Sequence, residues 1–110
     1  MELKPLTFKE LREFSRMCEN KQPCIFDLEI TGRISRIKLK TKETKSDVKK
    51  YYIVTVRSLH NEKDFFIVHI NDIEKKLKEG DIIQVKGTLF KINEYIYLNA
   101  NTVQIIYQNL

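Results

Sequence analysis

Between Phe26 and Leu39 the chain reads FDLEITGRISRIKL, an apolar alternation that misses one beat. Phe26, Leu28, Ile30, Gly32 and Ile34 fall on even positions, with Asp27, Glu29, Thr31, Arg33 and Ser35 between them; Ile37 and Leu39 then fall on odd positions. Period-two alternation turns one face of a β-strand to a core. A one-residue slip would turn that face to water unless the extra residue is extruded as a β-bulge. Gly32, just before the slip, tolerates the sharp coiling of such a strand. The stretch predicts a first strand that is long, bent and bulged, as a strand closing a small barrel must be.

Upstream, Thr7 and Glu10 have capping-box spacing, and Leu6 and Leu11 sit where a hydrophobic staple closes. Phe8, Leu11, Phe14 and Met17 or Cys18 form an apolar stripe, so a helix is predicted over 7–20, ended by Asn20 and Pro23. The stripe is expected to pack on the domain, with a partner surface as the alternative. Downstream, strand 2 is predicted over 51–59, with Tyr52, Val54 and Val56 alternating against Tyr51, Ile53, Thr55 and Arg57. A polar turn at 60–63 leads to strand 3 over 64–70, with Phe66, Val68 and Ile70 inward and Phe65 and His69 outward. Asn71 or Asp72 caps a short helix with Ile73 and Leu77 inward, ended by Gly80. Strand 4, 81–92, buries Ile83, Val85 and Leu89 and is interrupted by Gly87; Asn93 and Glu94 turn the chain into strand 5, 95–107. Strand 5 slips phase too, from Ile96, Leu98 and Ala100 to Val103 and Ile105. At 110 residues the expectation is a single domain, 1–110, with its barrel over 25–107.

The order helix, β-β-β, helix, β-β resembles the OB-fold, a five-stranded Greek-key barrel. The segment EGDIIQVKGTLFKINEYIYLNANTVQII (79–106) carries most of the likeness. The first helix followed by LEITGRISRI resembles the N-terminal nucleic-acid-binding domain of exonuclease VII large subunits. An SH3-like barrel is the alternative, and it accounts less well for the internal helix. The expected class is mainly β: a five-stranded Greek-key OB-fold barrel with an N-terminal helix and a short helix between strands 3 and 4. The resemblance implies single-stranded nucleic acid on the open face of strands 1 to 3, between the 1–2 and 4–5 loops.

Charge points the same way. Arg36–Lys50 holds seven basic residues against Glu43 and Asp47, so this segment accounts for the whole net charge of +5. A localised excess suits an anionic partner, although an AT-rich genome would also enrich Lys, Ile and Asn. Mapped on the resemblance, the expected nucleic-acid contacts are Arg33, Arg36 and Lys38 on strand 1; Lys40, Lys42, Lys45, Lys49 and Lys50 in a 1–2 loop; Tyr51, Arg57 and Phe65 on the face; and Lys91 and Tyr95 at the 4–5 loop. Aromatic rings stack on unpaired bases, and cations neutralise phosphates.

No catalytic constellation is visible. There is no P-loop, HExxH or dinucleotide fingerprint, and His60 and His69 stand alone. Asp27 and Glu29 share a strand face, but a cross-strand partner such as Lys86 suits them better than a metal. Cys18 and Cys24 match no zinc spacing and read as reduced thiols of a cytoplasmic protein. No apolar run reaches the roughly 20 residues of a membrane span, and no cofactor is expected. The chain has no tryptophan and ends YQNL, without the acidic tail typical of single-strand-binding proteins. The expectation is a non-enzymatic accessory factor in DNA replication, repair or recombination that binds single-stranded DNA, with RNA left open, beside a larger replication or repair protein. The alternative is a protein-interaction subunit that modulates a polymerase, primase or helicase.

Overall fold

The slipped alternation becomes a strand that takes part in both halves of the sheet. The computed structural model describes residues 7–18, 23–72 and 74–109, with backbone alone at 23–26. It contains helix α1 (Phe8–Ser15) and strands β1 (Pro23–Glu43), β2 (Val48–Arg57), β3 (Phe65–Ile70), β4 (Ile82–Ile92) and β5 (Tyr95–Tyr107). The strands close into a ring in the order β1-β2-β3-β5-β4, with β1 pairing back onto β4. All neighbours are antiparallel except β3 and β5, which run parallel.

The first half of β1 pairs with β4 and the second half with β2, and the handover falls at Arg33, which faces Ile82 on one side and Arg57 on the other. Gly32 makes the crossing: a Cβ there would stand 2.3 Å from Val56 Cγ1 and 2.5 Å from the Arg57 carbonyl oxygen. The bulge follows, since Ile34 pairs with Val56 but Arg36 with Thr55, leaving Ser35 extra. The Ser35 hydroxyl donates to the Thr55 carbonyl at 3.3 Å, which satisfies an acceptor beside the broken ladder. The slip in β5 has the same origin: Lys86 faces Thr102 and Gly87 faces Ala100, so Asn101 is extruded.

Inside the ring, Ile30, Ile34, Val54, Val56, Phe66, Val68, Ile70, Ile83, Val85, Leu89 and Leu98 are buried, as alternation predicts. Of the two adjacent phenylalanines, Phe66 enters the core and Phe65 does not. Leu39 departs from expectation. It pairs with Tyr52, which forms the last β2–β3 pair with Ile70, so it sits at the rim of the ring and is 54 % exposed.

Helix α1 covers one end of the ring. The Thr7–Glu10 capping box forms in both directions, and Leu6 of the expected staple lies outside the described residues. Phe8 and Leu11 join the core, Phe8 meeting Phe66 edge-to-face at 5.8 Å. The buried stripe continues through Ser15 rather than Phe14, and Phe14 and Met17 face water. The helix also ends earlier than expected, at Ser15. Met17 and Cys18 close tight turns by donating to the carbonyls of Phe14 and Ser15, and the Lys91 amine takes those of Arg16 and Cys18.

No second helix forms among the described residues of 71–81, where Ile73 lies outside the description. Asp72 accepts from Glu74 N, the contact of a helix N-cap, but no helix follows it among the described residues. The buried Asp81 carboxylate takes the Lys78 amide that a helix would use, and it also accepts from Asn109 N. Gly80 N instead donates to Ile34 O and Ile34 N to Asp81 O, both at 2.8 Å, joining the segment to the bulge of β1. Leu77 packs on the core as expected, but from a loop.

Candidate functional site

Strand alternation that sends Val54, Val68 and Leu98 inward sends Tyr51 on β2, His69 on β3 and Tyr95 and Tyr97 on β5 outward. Ring closure brings β3 beside β5, and the outward side chains meet. His69 stacks on Tyr97 with centroids 4.0 Å apart and 19° between planes. Phe90 on β4 stacks on the other side of Tyr97 at 5.7 Å, and Tyr51 lies 5.6 Å from His69. Tyr95 flanks the group, its hydroxyl sharing a 2.7 Å hydrogen bond with His69 Nε2.

The ring group itself carries no charge near neutral pH. Burial lowers the His69 pKa from its ordinary 6.5, which keeps the imidazole neutral. Burial, followed by the nearby Tyr51 and Tyr97 phenols, raises that of Tyr95; burial and then Tyr51 raise that of Tyr97.

Cations border the rings on β1. After the bulge, Arg36, Lys38 and Lys40 are exposed and face Thr55, Ile53 and Tyr51 in register. The expected 1–2 loop is in fact a β-ribbon. β1 and β2 stay paired to Glu43 and Val48, with Lys42 opposite Lys49, and a turn over 44–47 holds Lys45. Thr44 and Asp47 close that turn: Thr44 N and Oγ1 both donate to Asp47 O, and Asp47 N donates to Thr44 Oγ1. Pleat alternation puts Lys38, Lys40, Lys42 and Lys49 on the face that carries Tyr51. Lys50, paired with Thr41, lies on the other face with Leu39 and Val48.

The remaining expected residues are placed elsewhere. Phe65 precedes His69 by four residues, about 13 Å along the strand, and its ring lies beneath the guanidinium groups of Arg12 and Arg57 at 5.2 and 5.8 Å. Arg57 also donates to Glu62 O at 2.7 Å, and Arg12 pairs with Asp64 at 3.2 Å and donates to Phe65 O. This group ties α1 to the β2–β3 turn. Arg33 sits beside it, opposite Arg57. Lys91 has inward strand phase at the end of the ring, and its amine reaches the end of α1 instead of the rings.

Tyr97, Phe90 and the central place of His69 are absent from the sequence-derived set. Tyr97 shares the phase of Tyr95, and a two-residue turn at Asn93 and Glu94 sets Phe90 opposite Tyr97. Those two were therefore within reach of the hairpin alone; the His69 contact needed the β3–β5 pairing.

No cluster of three or more His, Cys, Asp or Glu suited to a metal occurs among the described residues. Glu29 accepts from Gln84 at 2.6 Å and faces Lys86 in register. No helix among the described residues is long and apolar enough to cross a membrane. Chemically, the face offers neutral rings, phenol hydroxyls and a row of ammonium and guanidinium groups, suited to a ligand that is both flat and anionic. Compared with known proteins, no family model matches the chain and no curated protein does.

Proposed function

We propose that the ring is an OB-fold and that the protein binds single-stranded nucleic acid on its outer face without catalysing a reaction. The fold assignment is supported by the order β1-β2-β3-β5-β4, the single parallel pair β3–β5 and the long bulged strand common to both halves. The functional reading is carried by one observation: an uncharged group of rings spanning four strands, bordered on β1 by Arg36, Lys38 and Lys40 and extended by the lysine ribbon. Unpaired bases present π-faces beside a phosphate backbone, which matches this pairing of rings and cations. The proposed setting is accessory: a cytoplasmic factor in DNA replication, repair or recombination, holding single-stranded DNA or RNA for a larger enzyme.

The test is oligonucleotide binding over a salt series. If the five outer-face cations Arg36, Lys38, Lys40, Lys42 and Lys49 each meet a phosphate, log K against log salt has a slope of about −3 to −4. A flat dependence, or no binding at low salt, rejects the reading.

A second reading, a subunit that docks on a larger replication enzyme, is favoured by the exposure of Phe14 (44 %) and Met17 (79 %) at the end of α1. It predicts co-purification with one defined enzyme, lost in a Phe14→Ser, Met17→Ser variant that keeps its melting temperature. Retention of the complex in that variant rejects it.

A further inference from the structure

The rings follow the order of the strands: Phe90 on β4, Tyr97 on β5, His69 on β3 and Tyr51 on β2. Their centroids are separated by 5.7, 4.0 and 5.6 Å, with interplanar angles of 20°, 19° and 36°. These spacings track the roughly 4.8 Å between neighbouring strands, so the four rings form a column across the sheet. Inserting a base between two rings requires about twice the 3.4 Å stacking distance, roughly 6.8 Å. Every gap in the column is narrower than that. Tyr97 has a neighbour on both sides, as has His69, and the Tyr95 hydroxyl fixes the His69 ring from its edge.

Only the ends of the column can accept another ring. Beyond Phe90 the sheet continues into the start of β1, Pro23 facing Phe90 in register. Beyond Tyr51 it continues into the exposed stretch of β1, where Lys40 is the register partner and Lys38 lies next to it on the same face. Among the described residues the ring contact of Tyr51 is with His69, and the Lys38 and Lys40 side chains are exposed.

We infer that the proposed nucleic-acid face contains one principal base seat: the side of Tyr51 turned away from His69, where a single unpaired base extends the ring column and its phosphates meet Lys38 and Lys40. This rests on the single-strand-binding reading and sharpens it. His69 becomes the positioning residue that backs Tyr51, itself held by the Tyr97 ring and the Tyr95 hydroxyl with Phe90 behind Tyr97, and these four are not further stacking platforms. Sequence preference at the seat is low, because every base has a π-face.

The chain has no tryptophan, so Tyr51→Trp installs a sole fluorescent reporter at the seat. Titration with an oligothymidylate of about ten nucleotides, within the usual site size of one OB-fold, is expected to quench that tryptophan to saturation. Tyr51→Leu is expected to weaken binding of the same oligonucleotide roughly five- to 150-fold. Tyr97→Leu is expected to lower the melting temperature and to weaken binding less than Tyr51→Leu does. Suppose the wild-type protein binds the oligonucleotide. Fluorescence that stays unquenched in the Tyr51→Trp variant, or a Tyr97→Leu loss at least as large as that of Tyr51→Leu, then overturns the seat and leaves the single-strand reading standing. Wild-type protein that does not bind at all overturns both.

Discussion

At the scale of single residues, most of the chemistry of this chain comes from where alternation is broken or a group is forced into an apolar setting. His69 is the clearest case. Its pKa is lowered by burial, so the folded form binds a proton less readily than the unfolded chain. The unfolded state therefore gains protons first as pH falls through 6.5, so the contribution of His69 to stability is intact above that value and declines below it. Unfolding midpoints measured from about pH 8 to 5 should show this fall, and His69→Phe should reduce it; an unchanged profile in the variant assigns the slope to other groups. Gly87 is a steric case. An added Cβ would lie 2.0 Å from the Asn99 carbonyl oxygen and 2.9 Å from Ala100 Cα, both backbone atoms that cannot turn aside. Gly87→Ala is expected to cost about 1–3 kcal/mol in denaturant unfolding, and a neutral result would mean that β4 and β5 can separate there.

At the scale of elements, the β1–β2 ribbon and helix α1 behave differently because one lacks a core and the other has one. All described side chains from Lys38 to Lys50 are exposed, and Lys42 faces Lys49 directly. Like charges across a two-stranded ribbon disfavour it, so an anionic ligand relieves a repulsion already present. Replacing Lys42 and Lys49 by Gln should flatten the salt slope of oligonucleotide binding by about 1 to 1.5, whereas Lys50→Gln, on the opposite face, should change it little. Equal effects from both would show that the ribbon acts as diffuse charge. In α1, Asp64 accepts from Lys9 N and pairs with Arg12, each at 3.2 Å. Asp64→Ala is expected to destabilise by about 1–2 kcal/mol and to speed amide exchange in α1 more than in β4; uniform exchange would place the loss elsewhere.

The elements also show what a sequence of this kind reveals. Inward residues were legible, down to the choice of Phe66 over Phe65, because period-two burial is a local rule. The slips at Ser35 and Asn101 were legible for the same reason. The helix expected after β3 was not, because Asp81 takes the Lys78 amide on its side chain and Ile34, on another strand, takes the Gly80 amide. The ribbon was hidden by its charge, which reads as loop until the Thr44–Asp47 turn and the long register are seen. The exposure of the lysines from Lys38 to Lys50 was legible, but not their faces: Lys50 turns away from Tyr51 because the strands stay paired through the ribbon. The ring column could not, since His69 and Tyr97 come together only through a parallel pairing of β3 with β5.

At the scale of the whole molecule, the two halves of the proposed site have separate physical origins that act on different classes of ligand. The cations follow the exposed half of β1 and attract any polyanion, single- or double-stranded. The rings follow ring closure and favour only a ligand with an exposed π-face, which a base-paired duplex withholds. In the proposed site both act together on an unpaired strand. The most direct test is a competition at about 0.1 M salt, near where the screening length is about 10 Å, between a single-stranded oligonucleotide and a blunt duplex of equal phosphate number. The single strand is expected to bind at least roughly fivefold tighter, the contribution of one stacked base. Equal or tighter binding of the duplex would contradict it, leaving a basic ribbon whose neighbouring rings take no part.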